Sequence, residues 1–283
     1  MIRRLGVRDD EILRSFLIER LQSSFILLAN LTADGFVYEG KPHQGVYVGA
    51  FDGDTLLGVA AHYWNDNLIF QAPQFASELA HAALRESGRS CDGLVGPWEQ
   101  IAAARDALGF ANNPTRYASK EILYAVELAR MQTPERLASG ELRCRRAEPG
   151  DLYVLTDLTI AETTENFGDP DTPEGRAKTR EGLERNMNEG VLFALVAGEQ
   201  IVAKCAFHGI ANGAVQIGGV YTPPEHRGHG YARSVVAGSL LRAREAGESK
   251  AFLFTSEENI PAQRAYTALG FAPVGNYGII LFR

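Results

Sequence analysis

Arg227-Gly228-His229-Gly230-Tyr231-Ala232 stands between a run that suits a strand, Ala214–Tyr221, and a helical pattern. In that pattern Ala232, Val235, Val236, Leu240 and Ala243 share one face at 3.6 periodicity, and Gly247 supplies a stop. Thr222-Pro223-Pro224 ends the strand, because proline cannot donate to a ladder and restricts the residue before it. A glycine-rich turn that feeds a helix N-terminus aims free backbone N–H groups outward, beside the positive end of the helix dipole. That is an anion site. The dipole contributes only about 0.3–1 kcal/mol when exposed, so several N–H bonds to a phosphate or pyrophosphate must supply the rest. A Walker loop needs Gly-Lys-Ser/Thr, which is absent. A Gly-x-Gly-x-x-Gly fingerprint starting at Gly228 breaks at Arg233.

The turn matches the Arg/Gln-x-x-Gly-x-Gly/Ala signature of the GNAT acetyltransferase superfamily at Arg227, Gly230 and Ala232. Asn259-Ile-Pro-Ala262-Gln-Arg-Ala-Tyr266-Thr-Ala-Leu-Gly270-Phe271 resembles that family's Asn-x-x-Ala-x-x-x-Tyr-x-x-x-Gly-Phe helix. Two ordered motifs separated by a helix and a strand are more specific than either alone. The resemblance covers residues 142–283, and it reaches the N-terminal half only in architecture.

The resemblance implies acetyl-coenzyme A as acyl donor. The amides of Gly228, His229, Gly230, Tyr231 and Ala232 would hold its pyrophosphate, with Arg227 at the head of the motif. The backbone of Val220, Tyr221 and Thr222 would pair with the pantetheine arm, the Val220 N–H facing the thioester oxygen. Tyr266 occupies the position of the general acid that protonates the departing thiolate. A phenol of pKa ~10 can serve a thiolate whose conjugate acid lies near ~8.5. Asn259 has a role without any ligand, as the N-cap of its helix with Pro261 close behind, and that does not exclude a cofactor contact. Leu269-Gly270-Phe271 reads as a helix end and a core aromatic.

The acceptor side carries less signal. In this family the helices between Asp151 and Glu189 line it, here with Glu162, Glu165, Asp169 and Asp171. Such an acidic loop suits a cationic amine, although charge clusters are more often solvated faces. Glu162 is the candidate base and Tyr221 a lining residue. His226 and His229 flank the turn as solvent-facing or phosphate-assisting groups, His208 reads as a structural histidine, and Cys205 as a buried thiol.

The elements that position these residues occur twice. Ala107-Leu-Gly-Phe-Ala111 recurs letter for letter as Ala268-Leu-Gly-Phe-Ala272. Val46 to Tyr63 reads as a hairpin turning at Asp52-Gly53-Asp54, and Val191 to His208 as another turning at Ala197-Gly198-Glu199. Each half opens on a short basic-apolar strand followed by an amphipathic helix. The expected order is strand, helices, three strands, helix, strand, helix, strand. The fold class is α/β (α+β): two tandem GNAT-like domains, each a mixed, mostly antiparallel sheet flanked by helices. The expected division is 1–130, a linker at 131–141, and a catalytic domain at 142–283. The first half has no glycine between Leu68 and Glu86, and Arg105 stands four residues before Gly109 where Tyr266 stands four before Gly270. It is therefore expected to be a degenerate copy that does not hold the cofactor at the equivalent place. Trp64 and Trp98 read as core residues.

Composition sets the outer limits. Of 283 residues 45% are hydrophobic and 22% charged, with a formal net charge of -7. Acids exceed bases in both halves, 16 to 12 through Arg130 and 19 to 16 beyond it. That balance argues against a duplex nucleic-acid binder. Cys91, Cys144 and Cys205 lie more than fifty residues apart, so neither a metal-ligand spacing nor a disulfide framework is implied. No secretory signal or membrane span is evident, and a cytoplasmic location is expected. The functional expectation is an acetyl-coenzyme A-dependent N-acetyltransferase acting directly on a primary amine, small-molecule or peptide, without a metal. The alternative is a non-catalytic acyl-coenzyme A-binding or regulatory protein of the same fold.

Overall fold

A computed structural model describes residues 1–283. The chain divides into two compact units, Met1–Leu123 with Val274–Arg283, and Tyr124–Pro273.

The first unit runs β1 (Ile2–Arg4), α1 (Asp10–Ile18), α2 (Leu21–Asp34), β2 (Gly45–Asp52), β3 (Thr55–Tyr63), β4 (Asn67–Gln71), α3 (Ala76–Ser87), β5 (Gly93–Pro97), α4 (Trp98–Ala107) and β6 (Thr115–Glu127), in which the division falls. The second contains α5 (Glu135–Ala138), β7 (Leu142–Arg146), α6 (Leu152–Phe167), α7 (Pro173–Asn188), β8 (Leu192–Ala197), β9 (Gln200–Ala211), β10 (Ala214–Tyr221), α8 (Tyr231–Glu245), β11 (Lys250–Ser256) and α9 (Ile260–Thr267), before β12 (Ala272–Phe282). The expected order thus appears twice, as a mixed α/β architecture with mostly antiparallel strand pairs.

Both boundaries differ from the expected 1–130 and 142–283: the division falls between Leu123 and Tyr124, so 131–141 lies inside the second unit, and that unit stops at Pro273. From Val274 onward β12 belongs to the first unit, where Tyr277 to Leu281 pair antiparallel with Pro97 to Gly93. Ile280 and Phe282 join the core built from Val48, Leu68, Phe70, Leu79 and Ile101. The unbroken apolar run Ile279–Phe282 suits a strand but does not name its partner. The partner is chosen by contacts such as Gly278, where a Cβ would stand 2.6 Å from the Trp98 ring. Trp98 packs against this core, and Trp64 lies among the rings of His43 and Tyr63.

In the second unit β7, β8, β9 and β10 form an antiparallel run, and β10 pairs in parallel with β11. One face carries α6 and α7 through Leu155, Leu183, Leu192, Ala194, Ala206 and Tyr221. Against the other lies α8, whose Val235, Val236 and Leu240 are fully buried. Each such side chain contributes about 1.5–3 kcal/mol by leaving water. The thiols of Cys144 and Cys205 both donate to the Val235 carbonyl, at 3.6 and 3.7 Å. Burial pushes the Cys205 thiol up to about 12, which leaves it an inert core group as its apolar strand implied.

The duplication extends to hydrogen bonds. Arg3 grips Asp9 with both terminal nitrogens at 2.8 and 2.6 Å, and Gly6 N–H donates to the same carboxylate at 2.9 Å. Arg145 grips Asp151 at 2.5 and 2.9 Å, with Glu148 N–H at 2.7 Å. Each device joins a repeat's opening strand, β1 or β7, to the start of the helix that follows it, α1 or α6. The repeated pentapeptides close α4 and α9 alike: Phe110 N–H donates to Arg105 O at 2.9 Å and Phe271 N–H to Tyr266 O at 3.2 Å, with Gly109 and Gly270 at φ +74° and +95°. These bonds make Arg105 and Tyr266 structural equivalents.

Candidate active site

The strand leading to the glycine turn is irregular in two places. Gln216 faces Gly209 and Ile217 faces Phe207, so His208 is an extra residue in β9. Gly218 then faces Ala206 and Tyr221 faces Lys204, so the excess passes to β10 around Gly219 and Val220. Paired bulges of this kind bend a strand and re-aim side chains. On its other side β10 pairs with β11 only from Ala214↔Lys250 to Gln216↔Phe252, although both strands run on.

Three polar side chains converge on this segment. Lys204, 4% exposed at its side chain, donates to Glu162 Oε2 at 2.5 Å and to Gly219 O at 3.2 Å. Charges so far from water persist only when paired and hydrogen-bonded, and this pair is both. A peptide is planar and trans, so its C=O and N–H point in opposite directions. By holding Gly219 O, Lys204 turns the Val220 N–H away from itself. His208 lies over Gly218, where a Cβ would sit 2.1 Å from its Cε1. The residue is exposed, yet the protein packed about the imidazole pushes its pKa below the usual histidine value. Glu162 opposes that shift and Lys204 adds to it.

The far end of β10 is fastened by Glu165. Arg227 donates to its two oxygens at 2.9 and 2.6 Å, Tyr221 Oη donates to it at 3.3 Å, and Arg227 Nε donates to Thr222 O at 3.0 Å. The Arg227 side chain thus ties the turn back to α6 and the strand end. Tyr221 is buried in the core under α6, and burial beside Glu165 raises its hydroxyl pKa.

The turn is shaped for an anion. Gly228 and Gly230 stand at φ +81° and +73°, where a Cβ would strain the backbone. The N–H groups from Gly228 to Arg233 take no acceptor; the first helical bond runs from Ser234 N–H to Gly230 O at 3.0 Å. Thr222 Oγ1 and Arg233 Nε, on either side, are buried without a hydrogen-bond partner. Buried polar atoms are normally satisfied, so this spare donor capacity fits a phosphate-bearing ligand. Arg136, in the stretch 131–141 expected to be linker, donates to His229 O at 3.1 Å and to Glu141 at 2.8 Å, with its guanidinium 5.4 Å from the Tyr231 ring centre. His229 stacks on Tyr231 at 5.5 Å and His226 meets the same ring edge-on at 6.3 Å.

The second motif lies on α9, which packs against α8. Asn259 Oδ1 accepts from Ala262 N–H at 3.2 Å, the capping role expected of it. Tyr266 is 6% exposed, its ring 6.4 Å from that of Tyr124 and 6.1 Å from that of Phe271.

The first unit differs at each of these points. Between β4 and α3 only residues 72–75 intervene, against 222–230 in the second unit, and Phe75 holds the left-handed position before the helix at φ +63°. Arg105 spends its guanidinium on the carbonyls of Phe110 and Ala111, at 3.2 and 2.9 Å.

Reasoning from sequence missed Lys204 and Arg136. A lone lysine among Ile201, Val202, Ala203, Cys205, Ala206 and Phe207 was the available signal for the first. For the second there was none, because its partner lies 93 residues away. The acidic cluster is less bare than it reads: Glu162 is paired with Lys204, Glu165 with Arg227, and Asp171 with Arg176. No group of three or more His, Cys, Asp or Glu side chains is placed to hold a metal, and no helix is long and apolar enough to cross a membrane.

This arrangement of bulged strand, glycine turn and helix belongs to a known class. Residues 152–271 match the profile of the Acetyltransferase (GNAT) family, so the C-terminal part of the chain is a GNAT acetyltransferase domain. No curated protein matches the chain in sequence. Solved structures share the fold over nearly all of it. A protein of Drosophila aligns with a TM-score of 0.68 at 11% identity, covering 99% of this chain and 98% of its own. A GCN5-related N-acetyltransferase from Sphaerobacter thermophilus aligns at 0.59 and 16% identity, over 99% and 94%. A tandem GNAT protein from the clavulanic acid biosynthesis pathway aligns at 0.57 and 13% identity, over 99% and 97%. The duplicated fold is therefore one that this chain shares with a tandem GNAT protein.

Proposed function

We propose that the protein is an acetyl-coenzyme A-dependent N-acetyltransferase whose second unit binds the cofactor and transfers its acetyl group directly to an amine. The observation that carries this reading is the run of uncommitted amides from Gly228 to Arg233 at the head of α8, continuous with the unpaired end of β10. The amides hold the pyrophosphate. Residues 217–221 offer their β11 side to the pantetheine arm, and Val220 N–H, oriented through the Lys204–Gly219 bond, meets the thioester oxygen. Tyr266 protonates the leaving thiolate. Arg227 acts through Glu165 and Thr222 as a brace for the turn, and Asn259 caps α9. The first unit, with its short 72–75 connection and Arg105 at the position of Tyr266, binds no cofactor at the equivalent place.

Calorimetric titration of acetyl-coenzyme A into the wild-type protein and a Gly230→Val variant tests this. One saturable site per chain, weakened at least ~10-fold by a β-branched residue forced to positive φ, is the expected result. Two sites per chain would overturn the account of the first unit. Binding without consumption in the presence of primary amines would favour an acyl-coenzyme A-binding protein, and no binding would leave only the fold.

A further inference from the structure

We propose that His208, standing over the bulged segment of β10 beside Glu162 of α6, takes the proton from the acceptor's amine. The inference rests on the acetyl-transfer reading above and adds to it the group that makes the nucleophile.

Four observations place the imidazole there. His208 is the supernumerary residue of the β9 bulge, which aims it over β10 instead of leaving it in the ladder. Gly218 lacks the Cβ that would occupy the ring's space. Its φ is not among the positive ones, so it is the imidazole and not the backbone that demands glycine. The Nε2 atom lies 3.8 Å from where a Cβ of Gly219 would be, the same peptide segment that Lys204 holds. Finally, neither ring nitrogen makes a hydrogen bond, whereas Glu162, the carboxylate expected from sequence to serve as base, has Oε2 committed to Lys204. Glu162 on α6 and Lys204 on β9 are the charged groups that face the ring. The packing that holds the imidazole below the ordinary histidine range keeps it neutral at physiological pH, the form that can accept a proton.

The step balances as follows. The acceptor arrives as an ammonium and gives one proton to His208. The freed nitrogen pair forms the C–N bond at the thioester carbonyl, and the C–S bond breaks with its electron pair going to sulfur. Tyr266 gives its phenolic proton to that thiolate, and the surplus proton on the new amide nitrogen restores the phenol through solvent. His208, an exposed residue, releases its proton to water. One amine proton ends on the coenzyme A thiol and one in solution.

His208→Asn and Gly218→Ala are the informative variants, since the first removes the base and the second displaces it without removing it. With a panel of primary amines as acceptors, kcat/KM is expected to fall at least ~100-fold in His208→Asn. The acid limb of its pH profile should vanish, while the calorimetric Kd for acetyl-coenzyme A stays within threefold of wild type. Histidine NMR, assigned by the signal lost in His208→Asn, should show one ring titrating below the others and shifting on saturation with acetyl-coenzyme A. Gly218→Ala should move that signal and lower turnover. A His208→Asn protein that keeps the acid limb and turnover within threefold overturns the proposal, as does a His208 signal unmoved by the cofactor. Wild-type protein that binds acetyl-coenzyme A yet acetylates no amine overturns the acetyl-transfer reading itself.

Discussion

The ammonium of Lys204 donates to the carbonyl of Gly219 at 3.2 Å, across the step where β9 and β10 lose register. A side chain from the neighbouring strand thereby does what a ladder bond does elsewhere. It holds one peptide plane fixed at the point where the ladder is broken.

Lys204→Met removes that hold and strands Glu162 as a mostly buried carboxylate, 13% exposed at its side chain. Breaking a buried pair from one side costs about 3–5 kcal/mol, so the denaturant midpoint should fall steeply. Pairing it with Glu162→Leu should recover most of the stability. Turnover should stay low in the double variant, because Gly219 O is still released. Full recovery of turnover would show that the Lys204–Glu162 pair contributes stability alone.

Arg136→Ala tests the buttress behind the turn. With His229 O no longer fixed, the Gly230 N–H on the other side of the same peptide loses its direction. Affinity for acetyl-coenzyme A should fall ~3–10-fold, in line with about 1 kcal/mol for one hydrogen bond. The melting temperature should move little, because Arg136 is only half-buried and its bonds lie at the surface. Calorimetry beside thermal unfolding separates the two effects.

Tyr266→Phe keeps the ring contacts with Tyr124 and Phe271 and removes only the hydroxyl. Loss of a general acid costs typically 10²–10⁴-fold, so turnover should drop by about that much while the Kd for acetyl-coenzyme A stays near wild type. A variant as active as wild type would make Tyr266 a packing residue.

The Arg145–Asp151 and Arg3–Asp9 pairs predict a shared acid sensitivity. The arginine hydrogen bonds hold both carboxyls below the ordinary value of 3.8. A carboxyl depressed in the folded state adds stability that is fully present above its unfolded pKa and is lost as pH falls through the folded one. Asp151→Asn should therefore lower stability at pH 7 by about 1.5–3 kcal/mol and flatten the fall in stability below pH ~4. Unfolding curves at pH 7 and pH 3 measure both effects.

Much of this protein is readable along the chain because much of it is local. Turn glycines followed by an amphipathic run specify Gly228, Gly230 and α8 within some twenty residues, and the cap at Asn259 and the helix ends at Gly109 and Gly270 follow from backbone geometry over four or five. The repeated hairpins follow from alternation and two-residue turns, Asp52↔Thr55 and Ala197↔Gln200. Such features depend on neighbours in sequence, and a sequence displays its neighbours directly.

What tertiary structure decided depends on partners far along the chain. Whether β12 completes the unit that precedes it or the other one is a choice between strand edges, and a single strand carries the same apolar run either way. The bulge that releases His208 exists only in the register of two strands, and the place for its ring is the missing Cβ of a glycine ten residues on. Glu162 reads as a free carboxylate until α6 sets it against Lys204, 42 residues away. Residue types stated which groups were available for chemistry. Packing decided which of them were occupied with one another and which, like the amides of the turn and the imidazole of His208, were left without a hydrogen-bond partner.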